Sequence, residues 1–415
     1  MVQQQKLLIE LFDVAVQQAL PKNCVASYLE QLDATNGICV LGAGKASVQM
    51  AEAVQQYFGD KCYGKVVTRH GYTNKTHVGN IEILCAGHPV PDEHSANAAK
   101  AILDEANKTP VDVPVLFLIS GGGSALMSMP IEGLSFAEKV EINKFLLASG
   151  ASIDEINLVR KSLSAIKAGK LAKAIKGEHH TLVISDVVGD QAELIASGPT
   201  IKHNIDIGQV MAVMEKYAWH DMDKIKAVLT TQDQPTSTTD NRNSFNLIAN
   251  AKQSIDAAAS KARQQGWDVE IINYEQQGDA TQVAISHAEI IKAKYQEGKP
   301  CILLSGGELT VTLNNNNGAG GPNQEYLLSL AIALQGQPNV YALACDTDGV
   351  DGNRDVAGAI ISPDTLANAK TQGLEPECYL TNNLSHDFFA ELNALVVTGP
   401  THTNVNDFRA ILISP

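Results

Sequence analysis

Residues 113–127, VPVLFLISGGGSALM, carry the pattern that decides the fold. An unbroken apolar run of strand length stops at a serine, passes through three glycines and enters a helix-compatible segment. Strands buried on both faces look like this, because neither face is left for water. The same grammar returns on either side, in GICVLGAGKAS (37–47), GKVVTRHG (64–71), IEILCAGHPVPD (81–92) and TLVISDVVGD (181–190). Short apolar strands alternating with helical patterns predict a mostly parallel sheet with helices on both faces. The first domain is therefore expected to be a Rossmann-like three-layer α/β/α domain.

Ahead of these strands, Leu7, Leu8, Leu11, Phe12 and Ala15 recur at helical spacing across residues 3–20, and Pro21 ends the run. This predicts a helix docked by one apolar stripe. Further on, residues 229–244, LTTQDQPTSTTDNRNS, lose periodicity and fill with Thr, Asn, Gln and Asp, which places a domain boundary near residue 240. Alternation resumes in FNLIAN (245–250), a long helix toward Gly266, WDVEII (267–272), a helix from Asp279, CILLSGGELTVTL (301–313), VYALACDTDG (340–349), ALVVTG (394–399) and AILIS (410–414). ELTVTL alternates as an exposed or antiparallel strand does. A first domain of 1–240 is thus expected beside a second α/β domain of 241–415 with a mixed sheet.

At 415 residues the chain exceeds what one core comfortably serves. Its 44% hydrophobic and 19% charged residues are those of a globular protein. A formal charge of −15, with no basic stripe to displace counterions, disfavours nucleic acid. Small anions stay admissible, since backbone N–H groups and a few placed cations bind them at any net charge. Seven cysteines (Cys24, Cys39, Cys62, Cys85, Cys301, Cys345, Cys378) without C-x-x-C spacing read as small buried hydrophobes in a reducing compartment. The start, MVQQQKLLIELF, lacks a signal peptide's basic end and unbroken apolar run, and no segment approaches the roughly 20 apolar residues of a membrane span. A cytoplasmic protein without a membrane partner is expected.

In an open parallel sheet the loops after the strands share one edge, where ligands bind. The segment Gly42-Ala43-Gly44-Lys45-Ala46-Ser47 lets backbone approach an anion and adds a mobile positive charge. As a dinucleotide fingerprint it is poor: Ser47 replaces the third small residue, the next strand ends in Arg69 and His70 rather than an acid, and Walker A spacing is absent. A tight turn with a solvated lysine is the plainer alternative. Ser120-Gly121-Gly122-Gly123-Ser124 can close a nest of N–H groups around phosphate oxygens. Asp186 and Asp190 offer a base and a metal ligand just past a strand, although Asp equally suits a turn. Ser197, in IASGPT (195–200), adds a hydroxyl. Asn157, Arg160, Lys161, Lys167 and Lys170 read mostly as a solvated helix face, with Arg160 chosen as an anion ligand because its fork matches carboxylate and phosphate.

In the second domain, Ser305-Gly306-Gly307-Glu308 is expected to end one strand and the segment 346–352, DTDGVDG, another. The latter opens like a calcium loop, but Val350 and Ala357 stand where positions five and twelve require oxygen ligands. Asp346, Asp348 and Asp351 are read as Mg²⁺ candidates instead. Residues 318–325, GAGGPNQE, open a helix with another anion-binding start that includes Asn323 and Gln324; 314–317 reads as a turn. The segment 398–407 clusters hydroxyls and amides, among them Thr401 and Asn404, around His402.

Taken in order, LGAGKAS, AGHPVPD, LISGGGSALM, ISDVVGD with IASGPT, LLSGGELTVT, GGPNQE, DTDGVDG with AGAI, and GPTHTNVNDF resemble the glycerate 2-kinase family, whose second domain is called MOFRL. The resemblance covers residues 8–413. It implies ATP-dependent, Mg²⁺-assisted phosphorylation of D-glycerate to 2-phospho-D-glycerate between two domains, and carries Lys45 over as a phosphate contact. With Lys45 from the resemblance and the others from their own chemistry, Lys45, Asp186, Asp190 and Arg160 are assigned to catalysis and Asp346, Asp348 and Asp351 to metal, with the base among the acids left open. The residues assigned to cofactor are Gly42, Gly44, the 120–124 loop, Ser197, Gly306, Gly307, Glu308, Asn323, Gln324, Thr401 and Asn404. Two positions depart from the family pattern. Pro322 stands where GGRNQE has arginine, and His402 where GPTGTN has glycine; Arg354 or Arg160 is the candidate substitute for the lost guanidinium. The expected partners are glycerate and ATP, and a homodimer is left open. A hydroxypyruvate reductase using NAD(P)H and a catalytically silent small-molecule binder are the alternatives.

Overall fold

The structure, a computed structural model, describes residues 2–231, 243–314 and 318–415. The chain divides into two compact units, one of Cys24–Ile248 and one of Met1–Asn23 with Ala249–Pro415.

In the first unit, β1 (Ile38–Ala43), β2 (Cys62–Arg69), β3 (His77–Val78), β4 (Asn80–Ala86), β5 (Val115–Ile119), β6 (His179–Ile184) and β7 (Ser244–Ala249) form a sheet in the order β3-β4-β2-β1-β5-β6-β7. From β4 to β6 the strands run parallel, and β3 is antiparallel to β4. Central β1 and β5 are buried along their whole length, which is why their sequences show no polar alternation. A separate helical layer, Phe136–Ala148, Ile153–Ser162, Ile207–Lys216 and Met222–Thr230, closes over its own core of Ile142, Leu146, Ile156, Val210, Met214 and Trp219. The first two of these helices begin at Ser135 and Ser152, each in a capping box with a glutamate three residues on.

In the second unit, β8 (Asp268–Asp279), β9 (Cys301–Thr310), β10 (Val340–Asp346), β11 (Gly358–Ile361), β12 (Leu395–Val396) and β13 (Asp407–Ile413) follow the order β12-β11-β10-β13-β9-β8. Only the β8/β9 pair is parallel, so the sheet is mixed as expected. Alternate side chains feed two cores. Leu303, Ala342 and Ile411 meet the helices Ala280–Gln296 and Pro322–Leu334, while Ile302, Leu343 and Leu412 meet the helices Gln3–Gln18 and Ala251–Gln264.

The opening helix therefore does not belong with residues 24–240, contrary to the expected 1–240 domain. Its stripe of Leu8, Leu11, Phe12 and Ala15 is fully buried against Ile255, Ala258 and Phe408 of the second unit. The Phe12 and Phe408 rings lie 6.0 Å apart. Strand β7, past the expected boundary, joins the first sheet. The boundary at 240 itself lies outside the described residues, as do 315–317 of the expected turn.

Candidate active site

The ends of β1 and β5 are stitched together by backbone. Ser120 N donates to Ala43 O at 3.1 Å, Lys45 N to Gly121 O at 2.9 Å, and Ala46 N to Ser120 Oγ at 3.0 Å. Gly44 (φ 144°) lies so close that a Cβ there would sit 2.0 Å from Ser120 Oγ, while Gly42, inside β1, is pressed against Leu118 of β5. The three glycines that follow each admit a different neighbour. A Cβ on Gly121 would lie 2.0 Å from Asp186 Oδ2, one on Gly122 2.8 Å from the His88 ring, and one on Gly123 3.0 Å from Ala196. Close approach from three directions, rather than looseness, accounts for the glycine run.

Past the glycines, Ser124 Oγ lies 2.9 Å from Ser197 Oγ. Ala196 and Ser197 hold left-handed backbone, φ 50° and 63°, a strain that recurs at functional sites. Lys167 Nζ donates to Ser124 Oγ at 2.6 Å and to Ser124 O at 2.9 Å. Asp186 thus joins the 120–124 loop, and Lys45 stands partly exposed at its head. Asp190 lies further along in a turn, its N–H on Val187 O at 3.0 Å and its φ at 50°.

A cavity of about 290 Å³ opens beside this loop, lined by His88, Ser124, Lys139, Asn143, Arg160 and Lys167 among others, with no acid among the described residues of its wall. Lys139 and Lys167 are each only 3% exposed, which is rare for lysine without a counter-charge. Lys139 Nζ donates to Met129 O (3.1 Å), Lys170 Nζ to Ser162 O (3.1 Å) and Ser164 O (2.5 Å), and Arg160 Nε to Asn143 Oδ1 (3.3 Å). Burial, reinforced by the charges of Lys170 and Arg160, pulls the Lys139 ammonium down to about 7. Burial brings Lys170 to about 8, and burial with three neighbouring cations drives Lys167 well below the ordinary lysine range. An anion in the cavity would relieve Lys139 and Lys167, which line it.

The expected solvated helix face fails for Lys161 and Lys167, which are buried, and for Lys170, which is partly so. Lys161 lies on a helix of the helical layer, while the Lys167 and Lys170 amines turn inward onto Ser124 and onto Ser162 O and Ser164 O. Arg160 does line the cavity. His88, Lys139 and Asn143 were not singled out by sequence. Lys139 carried a usable signal, since it falls three residues before Ile142 and seven before Leu146 on the buried side of its helix.

The second unit departs further from expectation. Gly306 and Gly307 do not end a strand but lie within β9, between β8 and β13. There a Cβ would sit 2.4 Å from Ile255 Cδ1 at Gly306 and 2.2 Å from Gln276 O at Gly307, so they serve packing and the β8 bulge. Glu308 is exposed two residues before the end of the same strand. Asn323 and Gln324 are fully buried and turned onto Asp351: Asn323 N and Nδ2 donate to Oδ1 (3.0 and 3.3 Å), Gln324 N and Nε2 to Oδ2 (2.9 and 2.8 Å). Asp351 is consumed in anchoring the start of the Pro322–Leu334 helix and does not fit a metal ligand.

Asp346 Oδ1 accepts from Asp348 N and Asp348 Oδ1 from Val350 N, each at 2.8 Å. The three aspartates form no ligand cluster; among the described residues the group with metal-ligand proximity is His70, Asp92 and His94. Thr401 Oγ1 donates to Thr347 O at 2.5 Å and Asn404 Oδ1 accepts from Asn406 N at 3.0 Å, so both brace their loop. Pro322 takes the first helical position, where a missing N–H costs nothing. It borders a separate cavity of about 320 Å³ with Gly320, Gly321, Glu325 and Asn383. His402 has φ 68°, a conformation that suits glycine.

Comparison with known proteins agrees with these motifs. Residues 7–230 match the family described as Domain of unknown function (DUF4147), and residues 301–407 match the MOFRL family. A protein of Thermotoga maritima named D-glycerate 2-kinase is 38% identical over 98% of this chain and 98% of its own length. One from Agrobacterium vitis named putative hydroxypyruvate reductase is 41% identical over 99% of this chain and 95% of its own. The crystal structure of glycerate kinase from Thermotoga maritima superposes with a TM-score of 0.91 at 37% identity, covering 98% of this chain and 99% of that one. With its order of motifs, its two sheets and these full-length matches, the chain belongs to the glycerate 2-kinase family, with a DUF4147 region followed by a MOFRL region.

Proposed function

We propose that the chain is an ATP-dependent kinase that phosphorylates the 2-hydroxyl of D-glycerate, and that it works in the cytoplasm, in keeping with the buried thiols of Cys39, Cys62, Cys301 and Cys345. The observation that carries this reading is the cavity beside the 120–124 loop, whose described wall offers several cations and no acid. A small carboxylate substrate that acquires a phosphate needs such a surface before and after reaction. Arg160 and Lys139 hold the glycerate carboxylate, and Ser124 and Ser197 orient a hydroxyl. Asp186, held against Gly121, takes the hydroxyl proton. Phosphoryl transfer is governed by positioning and charge neutralisation, and Lys45 supplies a cation to the transferring group. Kinases hold Mg²⁺ with one or two carboxylates plus phosphate oxygens, and the ion neutralises phosphate charge when bound.

A reductase reading has less support, because β2 ends at Arg69 and is followed by His70, with no acid there for a ribose hydroxyl. The test pairs two assays on the same preparation, ADP release with ATP and D-glycerate, and NADH oxidation with hydroxypyruvate. ADP release is expected, with Lys45→Ala lowering it by about 10²–10³-fold as loss of a transition-state charge partner does. NADH oxidation without ADP release would replace the kinase by the reductase.

A further inference from the structure

Outside the cavity, two imidazoles and a carboxylate meet at the surface of the first unit. His70 follows β2 and is tied to the end of β4 by its N–H on Ala86 O at 3.1 Å. Asp92 and His94 open the helix Glu93–Lys108. One ligand atom from each of the three lies within 4.8 Å of the others. His70 Nε2 is 2.8 Å from Asp92 Oδ2, and the His70 and His94 rings meet edge to face at 5.3 Å.

A capping aspartate alone would be unremarked, but this one is oriented from behind. Its Oδ1 accepts from Gly87 N and Ser95 N at 3.0 Å each and from Ser95 Oγ at 3.2 Å, which turns Oδ2 toward the imidazole. Outer hydrogen bonds of this kind fix metal-binding carboxylates. Both histidines are exposed, so an ion can enter from solvent.

We propose that His70, Asp92 and His94 form a three-ligand site for a borderline divalent transition ion, of the Zn²⁺, Co²⁺ or Ni²⁺ class. Two imidazoles with one carboxylate select that class over Mg²⁺ or Ca²⁺, which take oxygen ligands. Three protein ligands leave a coordination position for water. An ion here bridges the end of β2 to the segment after β4, whose residues His88, Pro89, Val90 and Pro91 line the cavity. Metal occupancy would therefore stiffen one wall of that cavity, whichever reaction it serves.

The test uses full-length, tag-free protein stripped with chelator and titrated with Co²⁺, followed by visible absorption, and with Zn²⁺ by calorimetry. One equivalent is expected to bind, with His94→Ala and His70→Gln each weakening affinity at least about tenfold, the scale of losing a supporting or direct metal contact. Zn²⁺ should raise the melting temperature of the parent and not of the variants. His94 is exposed, so its replacement leaves the fold intact, and circular dichroism of both metal-free variants checks this. Unchanged stoichiometry and affinity in the folded variants, or no uptake by the parent at submillimolar ion, overturns the site.

Discussion

Lys139 occupies the core-facing side of its helix, in line with Ile142 and Leu146, where an ammonium is costly unless a counter-charge arrives. Its pKa near 7, set by burial and then by Lys170 and Arg160, has two consequences whose signs can be worked out. The unfolded chain holds this proton up to the ordinary lysine range and the folded chain releases it near 7. Between those values the unfolded state binds more protons, so this group's contribution to stability rises with pH. Binding works the other way. An anion beside Lys139 favours its charged form, so glycerate binding at pH 8 should draw up to about one proton from buffer. Calorimetry in two buffers of different ionisation enthalpy reads this uptake directly, and Lys139→Met should lower it to whatever Lys167 alone takes up. Heats that do not depend on the buffer would remove Lys139 from the binding surface.

At the level of elements, the helix Gln3–Gln18 supplies a core stripe to the second sheet from the opposite end of the sequence. Phe12→Ala deletes a fully buried ring against Phe408 and should destabilise the Met1–Asn23 plus Ala249–Pro415 unit by about 3–5 kcal/mol. Urea unfolding followed by a reporter in each unit is expected to show an earlier transition in that unit alone. Equal shifts in both, or none, would contradict the assignment. The stripe was legible in sequence, but its destination was not, because periodicity says that a face is buried and not against what. β1 and β5 were legible for the opposite reason, since continuous apolar runs leave no other reading. In β9, glycines that admit Gln276 and Ile255 looked like a loop, because sequence does not distinguish a close approach inside a strand from a turn after one.

Across the whole molecule, family membership was legible because eight motifs keep their order, whereas the chemistry of individual residues was only partly so. Of the residues assigned to catalysis, Arg160 lies in the cavity wall and Asp186 against the glycine loop. Asp351, Asn323 and Gln324 had the right residue types but spend their hydrogen bonds on each other, on Asp407 and on His386. Lys167 was hidden because a run of charges reads as a solvated face, although this amine is turned onto Ser124. The measurement that bears most directly on function is ³¹P NMR of the product formed from ATP, Mg²⁺ and D-glycerate. Phosphate on the 2-oxygen couples to the single proton at C2, so a new phosphomonoester doublet is predicted. A triplet from the 3-oxygen, or inorganic phosphate alone, would contradict glycerate 2-kinase activity.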